Sequence, residues 1–107
     1  MKMIMAIVSN EDNSKVSREL TKQGFFITKL ASTGGFLLSG NTTLMTVTTD
    51  DKVDLAIDII KKHSQKRTKM ISSTASFGMD PGMSIPIEVS VGGATIFILN
   101  VEKFEKV

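Results

Sequence analysis

An α+β chain with two helices laid on one face of an antiparallel sheet is what three features of this sequence predict. They are short runs of β-favouring residues, two amphipathic stretches between them, and glycine-rich breaks where the hydrophobic period changes. Residues 3–8, MIMAIV, are an apolar run closed by the turn-forming Ser9, Asn10, Glu11, Asp12 and Asn13, which predicts a buried first strand. From about 13 to 23 the apolar residues Val16 and Leu20 stand four apart among polar ones, and Gly24 follows as a stop, so this stretch is a helix with a narrow buried stripe.

Residues 25–31 return to β-favouring types, and 42–49 (TTLMTVTT) are nearly all strand formers with partial period-two alternation. Asp50 or Asp51 then opens DDKVDLAIDIIKKHSQK, where Val53, Ala56, Ile57 and Ile60 obey the i, i+3, i+4, i+7 rule of an amphipathic helix. A fourth strand is expected at 69–73, a Gly/Met/Pro-rich loop at 75–86, and a hairpin in which 87–91 and 94–101 flank Gly92-Gly93. The order β-α-β-β-α-β with an appended C-terminal hairpin is the ferredoxin-like arrangement. No linker or composition shift divides the 107 residues, so one domain spanning 1–107 is expected.

Composition narrows the function. Thirteen Lys and Arg against eleven Asp and Glu leave a net charge of +2, too small for the electrostatic footprint of a protein that binds DNA or RNA. The dense cations Lys61, Lys62, Lys66, Arg67 and Lys69 sit around the end of the second helix, where they complement its dipole and solvate a surface. With no cysteine, disulfides, thiolate metal sites and cysteine nucleophiles are excluded. His63 reads as a solvated helix-terminal histidine, and Asp50, Asp51, Asp54 and Asp58 as first-turn acids, so no metal site and no cofactor are expected. MKMIMAIV is too short for a signal-peptide core or a membrane span, which points to a cytoplasmic protein without membrane insertion.

Known chemistries of the fold find no footing. After Val8 the chain reads SNEDNSK, without the Gly-rich, Arg-bearing loop of an acylphosphatase, and the Thr-rich third strand lacks the exposed aromatics of an RNA-recognition sheet. No nucleophile, base and orienter can be assembled, so an enzyme is not expected. The loops offer more. Gly34-Gly35 can take positive φ and turn successive N–H groups to one side, a concavity suited to phosphate, with Thr28 and Lys29 just upstream. Phe36 offers a face to a base, and Asn41 a donor and an acceptor to an adenine edge. Gly92-Gly93 could let a second backbone approach the same ligand, while Phe25 and Phe97 are expected in the core.

The combination TKLASTGGFLLSGNTT, preceded by MKMIMAIV and followed by PIEVSVGGATIFILNVEKF, resembles the PII-like cyclic di-AMP receptor family of bacteria along the whole chain. The resemblance implies a single PII-like domain that assembles as a homotrimer. It also implies sites for cyclic di-AMP or a related adenine nucleotide in the clefts between subunits, and a non-enzymatic signal transducer that switches loop conformation to regulate a partner protein. By position, Thr28, Gly35, Phe36, Leu37, Asn41, Gly92, Gly93 and Phe97 match pocket residues of that family, with Gly34 beginning the switch loop. Phe26 stands where many relatives have an Arg that meets a phosphate, Leu38 where a basic or polar residue is common, and Val47 where relatives have a Gly close to the adenine. The segment FGMDPGMSI is shorter than the Gly-Asn-Asp-rich stretch usual there. The alternative reading is a diverged trimer that has lost the dinucleotide and senses another small anion or serves as an interaction module.

Overall fold

The computed structural model describes residues 1–30, 40–73 and 85–107. In chain order the elements are β1 (Lys2–Ser9), α1 (Asn13–Lys22), β2 (Thr28–Leu30), β3 (Asn41–Thr48), a 3-10 turn (Asp50–Lys52), α2 (Val53–His63), β4 (Arg67–Ser73), β5 (Ile85–Val91) and β6 (Ala94–Asn100). Four strands form one antiparallel sheet in the order β2-β3-β1-β6, and β4 pairs with β5 in a separate ribbon. The fold is ferredoxin-like, as the sequence pattern predicts, with the ribbon inserted between α2 and the last strand.

That insertion corrects two expectations. The strand at 69–73 does not enter the main sheet, and 87–91 does not pair with 94–101 across Gly92-Gly93. Instead β5 pairs with β4 from Arg67↔Val91 to Ser73↔Ile85, while β6 takes the edge beside β1 from Lys2↔Asn100 to Val8↔Ala94. The reason is what the two glycines do. Both have positive φ, +87° and +79°, but the Gly93 N–H donates to the Ser64 carbonyl at the end of α2 at 2.5 Å. The glycines thus pin the chain to the helix end and redirect it from ribbon to sheet.

Alternation along β1 and β3 builds the core. Ile4, Ala6, Val8 and Leu44 point to the helices and are buried with Val16 and Leu20 of α1 and Ala56 and Ile60 of α2. Ile59 and Val53 pack against this cluster from the flank of α2, so Ile59 completes the stripe where the sequence suggested Ile57, which is half-buried. After Gly24, at φ +90°, Phe25 turns into the core while Phe26 stays 86% exposed, so pairing with β3 begins only at Thr28 and β2 is shorter than the expected 25–31.

The opposite face carries three cross-strand rows: Val47-Met3-Leu99, Thr28-Met45-Met5-Phe97 and Leu30-Thr43-Ile7-Thr95. Phe97 lies on this face and is 51% exposed, not in the core. Both helices sit on the other side.

Thr46 faces the core, and its hydroxyl is buried with no hydrogen-bond partner among the described residues. Such a group costs desolvation energy that a methyl of the same shape avoids. Thr46→Val is expected to stabilise the protein by about 1 kcal/mol and raise Tm by about 4 °C or more. A lower Tm in thermal denaturation would show that the hydroxyl is paired.

Candidate nucleotide site

Among the described residues, two recesses border the sheet face that neither helix covers. The first, about 390 Å³, is formed where the ends of β1, β3 and β6 meet the glycine turn, and is lined by Ile7, Asn41, Lys66, Gly92, Gly93 and Thr95. Asn41 is the first residue of β3, opposite Ser9, and stands at the strand end because Gly40, at φ +109°, turns the chain into the sheet. The second recess, about 380 Å³, lies along the β2 edge and is lined by Phe26, Thr28, Met45, Val47, Phe104 and Lys106. The Lys106 ammonium sits 5.5 Å from the centre of the Phe26 ring.

The structure therefore brings Asn41, Gly92 and Gly93 together and places Thr28 in a separate recess. Phe97 lies three strands across the sheet from Thr28, roughly 14 Å at the usual strand spacing. Lys29 joins neither recess. It pairs with Leu44, which sets its side chain on the helix side, and its ammonium donates to Asn13 Oδ1 at 3.0 Å. Gly34, Gly35, Phe36 and Leu37 lie outside the described residues, as does Leu38. Among the described residues no three His, Asp or Glu side chains group as a metal site.

Sequence reasoning missed the cations of these recesses. Lys66, which in sequence reads with its neighbours as helix-end solvation, lines the glycine recess, and Lys106, one lysine in a polar tail, lines the other. Arg67 and Lys69 also depart from that assignment. Arg67 Nη2 and Nη1 reach Asp12 Oδ1 and Oδ2 at 2.9 and 3.2 Å, and Arg67 Nη2 and Lys69 Nζ reach Glu11 at 3.4 and 3.2 Å. The hydrogen bond from Arg67 holds the Asp12 carboxyl below the usual carboxylate range. A depressed value means the pair contributes above the ordinary value of 3.8 and is lost as pH falls through the lower, folded one.

The two glycines are not equivalent. A Cβ on Gly92 would stand 2.4 Å from the Gln65 carbonyl oxygen and 2.8 Å from Arg67 Nη1, whereas a Cβ on Gly93 meets nothing nearer than Lys66 Cγ at 3.9 Å. Gly93→Ala is expected to cost only the left-handed backbone penalty of about 1 to 2 kcal/mol. Gly92→Ala adds a backbone collision and is expected to lower Tm further, by several degrees more in paired melts; equal losses would place the turn away from Gln65.

Comparison with known proteins adds to this geometry. A solved structure of a functionally unknown protein from Pediococcus pentosaceus ATCC 25745 is 40% identical, with a TM-score of 0.75 over 99% of this chain and 96% of that one. The family described as cyclic-di-AMP receptor matches residues 1–107. By that match along its full length, the chain belongs to the cyclic-di-AMP receptor family, in agreement with the resemblance carried by TKLASTGGFL, SGNTT and VGGATIF.

Proposed function

We propose that this protein is a non-enzymatic, cytoplasmic signal transducer that binds cyclic di-AMP in clefts between the subunits of a homotrimer and so controls a protein partner. One observation carries the reading within this family: the recess in which Asn41 and the Gly92-Gly93 turn converge. Asn41 offers a donor and an acceptor to an adenine edge, and the glycines, without side chains, let backbone approach the ligand. Lys66 on this recess and Lys106 on the other are cations suited to the two phosphates. Gly34, Gly35, Phe36 and Leu37 complete the site on the strength of the sequence alone.

Assembly is supported by the uncovered face. Leu30, Phe97 and Leu99 are exposed there beside Met3, Met5 and Met45, an apolar patch of the kind that marks an interface. Each recess has the size of a small ligand pocket, and a neighbouring copy seated on this face would enclose it further.

Isothermal titration with cyclic di-AMP, alongside ATP and cyclic di-GMP, tests the ligand. One selective site per chain is expected, and Asn41→Ala should weaken it by about tenfold or more through lost hydrogen bonds. Absence of heat from the wild type would overturn the reading. Light scattering should give three times the 11.6 kDa of one chain. Phe97→Glu, which sets a charge in the apolar face, should shift that mass toward one chain while the far-UV spectrum holds; a monomeric wild type would refute the assembly.

A further inference from the structure

Asp12 occupies the position that precedes the first turn of α1, yet its carboxylate makes no capping bond to the helix. It is 6% exposed and is directed instead to Ser9 Oγ, at 3.0 Å, and to both Nη atoms of Arg67 at the foot of the ribbon. Forgoing a helix cap for a long-range partner shows where the side chain is engaged. Arg67 in turn donates from Nη1 to the Gln65 carbonyl at 3.1 Å, the oxygen a Cβ on Gly92 would strike. The guanidinium thus lies directly beneath Gly92 and joins the β1-α1 turn, the end of α2 and the ribbon base. Arg67 also stands opposite Val91, one residue before the glycines. A fork with two parallel bonds fixes orientation as well as distance, which a lysine cannot do.

We infer that the Arg67–Asp12 pair is a latch that holds the Gly92-Gly93 turn in place opposite Asn41, making Arg67 and Asp12 positioning residues for dinucleotide binding. The inference rests on the function proposed above for the site, but the latch has a readout that needs no ligand. The Gly93 N–H bonded to Ser64 O reports whether the turn is held.

Amide hydrogen exchange followed residue by residue in the intact protein, paired with cyclic di-AMP titration, provides the test. In Arg67→Lys and Asp12→Asn, Gly93 exchange is expected to accelerate by about tenfold while the β1 amides keep their wild-type rates, and affinity to fall by about tenfold. The double variant should do no worse than the more damaging single one, because both remove the same connection. Unchanged Gly93 exchange in the single variants would overturn the latch. Accelerated exchange with wild-type affinity would overturn its positioning role. If the wild-type protein binds no cyclic di-AMP, the functional reading fails by itself, and Gly93 exchange alone decides whether the latch holds the turn. Uniform acceleration across β1 as well would mean general destabilisation and also overturn the inference.

Discussion

The clamping of β1 between β3 and β6 is the constraint on which the rest of the structure depends. Because side chains alternate, the register Met5↔Met45 and Met5↔Phe97 sends Ile4, Ala6 and Val8 toward the helices and Met3, Met5 and Ile7 to the other side. A one-residue slip would exchange the two sets and expose the core. The same register therefore fixes both the packed helix face and the composition of the open one, and the ends of these strands are where Asn41 and the glycine turn meet.

The glycine turn is set by a second constraint, the end of α2. A helix terminus leaves carbonyls without intrahelical partners, and here Ser64 O is satisfied by Gly93 N–H while the Ser64 hydroxyl donates back to the Ile60 carbonyl. The chain can pass this close only because Gly92 has no Cβ. What looks in sequence like hairpin chemistry is thus helix-end chemistry, and the ribbon owes its separation from the sheet to it.

Legibility follows from the range of the interactions. The helices at Asn13–Lys22 and Val53–His63 and the strands β1 and β3 were readable because their signals, the four-residue spacing of Val16 and Leu20 and the alternation around Leu44, are local. The place of β6 was not, since Gly92-Gly93 permits a hairpin and a crossover equally well, and only the open edge of β1 decides. Phe97 reads as core in the sequence for a related reason: an apolar residue on a strand gives no sign of which face is covered by its own chain. Of the candidate site, Asn41 and the two glycines were legible as loop chemistry and do come together. The approach of Arg67 to Asp12, across 55 residues, has no signature in the sequence, where Asp12 reads only as one of a run of turn formers.

The open face also explains why so weakly charged a chain can suit a dianionic ligand. With a net charge of only +2, the chain sets single cations at the rim, Lys66 at one recess and Lys106 at the other, and leaves the centre of the face to Met and Phe side chains. Methionine is soft and adapts its shape, so such a surface can pack against another copy and still accommodate a base between aromatic and thioether groups. In the proposed trimer, burying it would take apolar area from water, which association needs, while the phosphates would meet lysines that stay hydrated until the ligand arrives. On the proposed reading, assembly and recognition draw on the same strands. In the proposed trimer, any ligand that prefers one seating of the subunits shifts their packing in proportion to that preference.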